Sequence, residues 1–433
     1  MKPGETVSFC PPGSGSREGT CMEVKAGYKQ TEVGVIPEDW DVRKLGEYAT
    51  FKTGPFGSTL HKSDYVSDGV PVINPMHIID GQIVPSKSMT VTDSIAKQLS
   101  AFRLQAHDII IGRRGDMGRC AVVQQSQVGW LCGTGSMIIR SSERFVPDFL
   151  QRILSSPRAV SAIEEVSVGS TMININQGVL ADLKVPLPPL PEQRTIATAL
   201  SDVDALITSL DNLIAKKRDI KQAAMQELLT GKKRLPGFTL KWKVKRLGDL
   251  SEMFGGGTPP TSVLEYYDGK IPWVSIADMT RRGKYISETD RNLTEKGLEN
   301  CAAKILPAGT ILFAEYASIG ECSIAATELC TSQAILGITP KTILNNLYLY
   351  FSLMSKKEEI KQMGQHGTQA NLNSDMVKDF EILLPSLSEQ TAIATILSDM
   401  DADLTALEQK RDKTKAIKQG MMQELLTGRI RLV

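Results

Sequence analysis

Two glycine-flanked clusters of cations hold the side chains in this 433-residue sequence whose types and spacing could do chemistry. Arg113, Arg114 and Arg119 surround Gly115 and Gly118, and Arg281, Arg282 and Lys284 surround Gly283. A guanidinium can bridge guanine O6 and N7 or clamp a phosphate, and a glycine-bearing loop lets it reach into a groove. Lys241, Lys243 and Lys245 alternate with Trp242 and Val244, as on a strand with one basic and one apolar face. That face suits phosphate contacts, and a solvated edge strand guarded by lysines fits the pattern equally. Ser170 and Thr171, after Gly169, and Thr368 and Gln369, within Gln365-His-Gly-Thr-Gln369, supply small donors for phosphate or base edges. Each group precedes an Asn-x-Asn, so capping of the next segment is an equal reading.

Catalytic chemistry is poorly supplied. Four histidines (61, 77, 107, 366) stand in no metal-binding arrangement, and seven cysteines form no Cys-x-x-Cys pair. The odd cysteine count points away from a disulfide framework and toward a reducing cytoplasm, with the thiols buried as structural residues. Ile73-Asn-Pro-Met-His77 lacks the second proline and the aromatic with which adenine methyltransferases hold a flipped base. Gly255-Gly-Gly-Thr-Pro-Pro260 and Gly133-Thr-Gly-Ser136 do not end in Gly-Lys-Ser/Thr, so both read as turns rather than phosphate cradles. No catalytic residue and no metal ligand is assigned. Lys and Arg number 50 against 49 Asp and Glu, so any basic surface must be local. No run of ~18 apolar residues could span a bilayer.

The elements that must position these loops are written twice. Pro188 to Leu235 realigns without gaps on Pro385 to Leu432, with roughly 27 of 48 positions identical. Weaker matches lie upstream: Trp40 to Glu47 with Trp242 to Asp249, Gly118-Arg-Cys120 with Gly320-Glu-Cys322, and Asn174-Ile-Asn176 with Asn371-Leu-Asn373. Strand candidates also correspond: Ile109 to Ile111, Ala121 to Val123 and Met137 to Ile139 in the first copy; Thr310 to Phe313, Ser323 to Ala325 and Ala334 to Leu336 in the second. The expected architecture is α+β, with a flexible extension over 1–27, variable domains over 28–185 and 232–383, and helical segments over 186–231 and 384–433.

Each matched segment predicts a helix of about 38 residues, nearly 60 Å long, ended by Gly231 or Gly428. Ile196, Leu200, Val203, Ile207, Leu210, Ile214 and Ile220 form one apolar stripe; Ile393, Leu397, Met400, Leu404, Leu407 and Ile417 form the other. Such a helix is too long to hide its stripe in one small domain, so its partner must be another long helix. Acidic residues (Asp202, Asp204, Asp211; Asp399, Asp401, Asp403) precede basic ones (Lys216, Lys217, Arg218, Lys221; Lys410, Arg411, Lys413, Lys415, Lys418) in both copies. Antiparallel pairing sets every acidic half against a basic half, so an antiparallel coiled coil is expected. The continuation missing after Val433 resembles residues 28–46. The C-terminus should therefore lie beside the N-terminal segment, closing a pseudo-twofold repeat.

The order of variable block, Pro-x-Leu-x-Glu-Gln helix, second block and second such helix closely resembles the specificity subunit of type I restriction-modification systems. Tyr28-Lys-Gln-Thr-Glu-Val-Gly-Val-Ile-Pro-Glu-Asp-Trp40, Gly54-Pro-Phe-Gly-Ser58 and the two Gln-Glu-Leu-Leu-Thr-Gly endings are similar to that family's recurrent strings, and the resemblance covers the chain after about Tyr28. It implies two target-recognition domains, each reading one half of a bipartite site in double-stranded DNA, and helices that set the spacer and dock two methyltransferase subunits. Restriction-translocase subunits would join that complex. Glu192, Gln193, Glu389 and Gln390 are expected at the partner contact. S-adenosylmethionine, ATP and Mg²⁺ would belong to the partners, leaving this chain non-catalytic and without a cofactor. Because the blocks have diverged, the half-sites should differ, and halves read from one face should lie about 34 Å apart. A self-contained DNA-modifying enzyme and a non-DNA coiled-coil scaffold are the alternatives.

Overall fold

A computed structural model describes residues 24–55, 59–166, 174–363 and 372–432. The chain forms two compact units, residues 1–209 with 411–433, and residues 210–410. The division cuts both long helices rather than falling at their ends, so each unit contains a recognition domain and a piece of each helix.

In the first unit an antiparallel sheet runs in the order Cys120–Val122, Ile109–Gly112, Ser136–Ser141 and Ala49–Thr53. Side chains alternate between its faces. Ile109, Ile111, Met137 and Ile139 face the core containing the helix Pro147–Leu154 and the long helices. Ile110, Ala121 and Ile138 face a second cluster with Ile73 and Cys132. Burial on both sides explains why Ile109-Ile-Ile reads as a continuous apolar run.

The second unit repeats the plan in the order Ser251–Gly255, Ile335–Pro340, Ile311–Ala314, Cys322–Ala325, with Tyr285–Ile286 added in parallel at the edge. Ile311, Phe313, Leu336 and Ile338 face the helices; Leu312, Ala314 and Ile335 face away. Ribbons lead from each sheet toward its helix: Asp41–Lys44 with Lys184–Leu187, and Lys243–Arg246 with Glu381–Leu384.

The long helices span Leu190–Leu228 and Leu387–Leu425, 39 residues each. Gly231 and Gly428 follow them with φ of 69° and 67°, the left-handed conformation that closes a helix and that a β-carbon disfavours. In the first unit Ile196, Ala197 and Leu200 share a core with Met421, Met422, Leu425 and Leu426. In the second, Ile393, Ala394 and Leu397 do so with Met225, Leu228 and Leu229. The helices are therefore antiparallel. Leu210, Ile214 and Leu404 are buried, Val203, Ile207, Met400 and Leu407 half-buried, whereas Ile220 and Ile417 are exposed and lie off the expected stripe.

The charge order acts as expected and also engages the recognition domains. Asp204 meets Lys418 of the other helix and Arg152 of the recognition domain, each at 2.6 Å. Asp401, at the matching position, pairs with Lys221 and with Lys284. In the first unit the C-terminus does lie beside the N-terminal segment: Tyr28 Oη donates to Gly428 O at 3.0 Å, and Arg431 pairs with Asp39.

Candidate nucleic-acid interface

Five segments converge where the central strand of each sheet ends. In the first unit, Arg113 N donates to Gly135 O and Ile175 N donates to Arg113 O. Gly54 N donates to Ser136 O, Gly133 N to Ile73 O, and Gly135 N to Asn74 Oδ1. The loops touch so closely that a β-carbon on Gly54 would stand 1.9 Å from Gly133 O, which is why glycine occupies that position.

The second unit builds the same cluster from different residues. Glu315 N donates to Ala334 O, Leu372 N to Glu315 O, Gly256 N to Ile335 O and Ser332 N to Val274 O. A β-carbon on Gly256 would stand 2.0 Å from Ser332 O. The glycine-rich stretch expected to turn is therefore a close-packing site. The backbone bonds make Glu315 the counterpart of Arg113, and Leu372 that of Ile175.

The structure sorts the sequence candidates. Arg114 is exposed on the turn between Gly112 and Gly115. Its neighbour Arg113 is buried and donates through Nε to Ile175 O at 3.0 Å; burial holds its guanidinium below the ordinary value. Arg119 is half-engaged by an ion pair with Asp116. Arg281 donates to Asp290 Oδ1 at 2.7 Å, and Arg282 lies 3.4 Å from Glu288. Lys284, expected at DNA, is instead 17% exposed, pairs with Asp401 at 3.0 Å and sits 4.3 Å from the centroid of Phe351. It fastens the second recognition domain to its helix.

Lys241, Lys243 and Lys245 are exposed, but Val244 is exposed too, so the expected apolar face is not formed. They belong to or border the ribbon leading into the second long helix, not the loop cluster. Ser170, Thr171, Thr368 and Gln369 lie outside the described residues, as do Phe56 to Ser58 and residues 1–23.

Glu192, Gln193, Glu389 and Gln390 are buried and internally satisfied rather than presented to a partner. Trp40 Nε1 donates to Glu192 Oε2 at 2.9 Å, and Arg431 pairs with the same carboxylate. Trp242 Nε1 and Arg234 hold Glu389 in the same way, at 3.0 and 2.7 Å. Gln193 receives Val146 N and donates to Arg144 O and Pro188 O; Gln390 receives Asn345 N and donates to Ile343 O and Pro385 O. Full satisfaction at both ends of the amide is the reason for the repeated Glu-Gln string.

Sequence reasoning passed over Glu315, Tyr316, Thr134 and Gln333, which belong to these clusters. The offset between Gly118-Arg-Cys120 and Gly320-Glu-Cys322 would have placed Glu315 opposite Arg113. Cys120, Cys132, Cys322 and Cys330 are buried free thiols, and burial pushes Cys120 and Cys330 up to about 12. Among the described residues no cluster of His, Cys, Asp or Glu could hold a metal ion, and no helix is long and apolar enough to cross a membrane.

The chain is similar to the type I restriction enzyme MjaIX specificity subunit of Methanocaldococcus jannaschii, with 38% identity over 175 residues covering 40% of each chain. It is 23% identical to the MjaVIII specificity subunit of the same organism over 422 residues, covering 92% of this chain and 94% of that one. Its fold is similar to a solved chain of a type I restriction-modification system, with a TM-score of 0.59 at 20% identity over 91% of this chain and 99% of that one. The S subunit from M. genitalium gives 0.57 at 17% identity, covering 89% and 96%. The family model for the type I restriction modification DNA specificity domain matches twice, at residues 37–218 and 239–419, once on each copy of the duplicated plan, and the chain belongs to that family.

Proposed function

We propose that this chain is the DNA sequence-specificity subunit of a type I restriction-modification complex and is non-catalytic by itself. Each recognition domain, within residues 28–185 and 232–383, reads one half of a bipartite, asymmetric site in double-stranded DNA. The observation that carries this reading is one backbone cluster built twice with unlike side chains: Arg113 and Arg114 in the first, Glu315 and Tyr316 in the second. Constant geometry with changed donors and acceptors is what two different half-sites require.

The long helices set the spacer and dock two methyltransferase subunits, with restriction-translocase subunits joining the assembly. Within the second unit Leu213 and Ile220 are exposed seven residues apart on the first helix, and such spacing suits another helix. This surface replaces the buried Glu-Gln pairs as the docking candidate. S-adenosylmethionine, ATP and Mg²⁺ belong to the partner subunits, and the complex works in the cytoplasm. The test is methylome sequencing of cells carrying this subunit with its methyltransferase. The expected result is one bipartite motif with unlike halves and a constant spacer. A palindromic motif, or methylation unaffected by deleting this chain, would refute the reading.

A further inference from the structure

We propose that Glu315 is a specificity-determining residue of the second recognition domain, its carboxylate accepting a hydrogen bond from the exocyclic amino group of one base, cytosine N4 or adenine N6. The proposal rests on the reading of the chain as a DNA specificity subunit and names one reading group within it.

Three observations converge on this residue. The first is position. Glu315 follows the central strand Ile311–Ala314 and is tied through its amide to Ala334 and through its carbonyl to Leu372, as Arg113 is to Gly135 and Ile175. The same backbone site carries a bracing cation in one domain, Arg113 on Ile175 O, and in the other an acid that cannot brace in that way. The second is an unmet hydrogen bond. Glu315 is 7% exposed, and among the described residues its buried Oε1 has no hydrogen-bond partner. Arg113, by contrast, spends Nε on Ile175 O, an arrangement a carboxylate cannot copy because it has no N–H. The third is the surroundings: Tyr316 and Gln333, on the adjoining turns, are exposed beside this buried group.

A buried carboxyl oxygen with no partner is destabilising, so a fold keeps one mainly where something else supplies the partner. Burial pushes Glu315 up to about 7, which shows how weakly its own surroundings support the charged form. An amino N–H is the donor that a carboxylate accepts at a base edge, and cytosine N4 and adenine N6 are the amino groups displayed in the major groove. An ionised phosphate has no N–H or O–H to donate, so it does not supply the partner that a carboxylate acceptor lacks.

The test uses this subunit assembled with its methyltransferase subunits and a duplex carrying the motif read from the methylome. Equilibrium binding is measured for wild type, Glu315→Gln and Glu315→Ala, against duplexes changed at each position of both halves. Glu315→Ala should lose discrimination tenfold or more at one position of the second half-site and keep the first half unchanged, whereas Glu315→Gln, which keeps an acceptor oxygen, should retain more of it. Replacing the amino-bearing base at that position by an analogue lacking the amino group, 2-pyrimidinone for cytosine or purine for adenine, should weaken wild type about tenfold and Glu315→Ala no further. Which analogue does so identifies the base. Unchanged discrimination in Glu315→Ala, an equal loss across both halves, or an equal analogue penalty in wild type and Glu315→Ala would overturn the proposal. If wild type itself shows no sequence preference in the second half, the reading of the chain fails instead.

Discussion

Arg113 and Arg114 are adjacent in sequence and opposite in use. Arg114→Ala should weaken binding to the first half-site and flatten the salt dependence by about one phosphate contact, while changing stability by less than ~0.5 kcal/mol. Arg113→Ala should cost about 1–3 kcal/mol of stability, because it leaves Ile175 O without its donor in a buried loop. Urea melts and duplex titrations on both variants separate the two effects. Glu315 contributes a pH dependence. Its carboxyl is raised from an ordinary 4.5 to about 7, so the folded state favours the neutral form. The unfolded chain ionises first as pH rises, so this stabilisation is complete below about 4.5 and is lost as pH rises through 7. Glu315→Gln should remove that slope, gaining up to about 3 kcal/mol on wild type between pH 4 and pH 8. Urea midpoints with the same pH slope in both proteins would rule out its titration.

The long helices are held by packing and by two buried clasps more than by their visible ion pairs. Glu389, fully buried, is gripped by Arg234 and Trp242, and Glu192 by Arg431 and Trp40. Glu389→Ala should cost about 2–3 kcal/mol, somewhat below a fully buried pair because Arg234 retains contact with water. Lys217, exposed and paired with Asp403, should cost less than ~0.5 kcal/mol when changed to Ala. Thermal melts of the two variants at low and high salt give the comparison; equal losses would mean that the clasp contributes nothing beyond surface charge. The apolar stripe and charge order were legible because a helix repeats every 3.6 residues and its neighbours along the chain are known. The Glu-Gln strings were recognised but misplaced, because repetition marks a constrained residue without saying whether the constraint is an interior or a partner.

Within its unit the C-terminal Arg431 reaches Asp39 and Glu192, filling the place that Arg234 fills in the other copy. A chain opened at Pro236–Gly237, after Arg234, and rejoined between Val433 and Tyr28 should therefore keep both clasps. It is expected to assemble with the methyltransferase subunits on size exclusion. A permutant that folds by circular dichroism yet stays unassembled would show that the duplicated plan does not tolerate relocation of the break. Replacing residues 238–383 by another recognition domain of the family should change the second half-site in the methylome and leave the first as it was. A change in both halves would count against modular reading.

The amino-acid sequence by itself determined the duplication, the antiparallel helices and the apolar strand runs that correspond between the copies. These follow from spacing along one dimension, where short apolar runs, period 3.6 and a constant offset can be counted. Tertiary structure alone decided which charged groups face outward. Lys284 became a fastener only because Asp401 and Phe351, far along the chain, fold against it. Arg113 became a strut because Ile175 returns to its backbone, and Glu315, bonded through its own backbone to Ala334 and Leu372, is buried with an oxygen that no described residue meets. Burial is set by segments distant in sequence, and the same residue type binds, braces or waits according to what those segments bring.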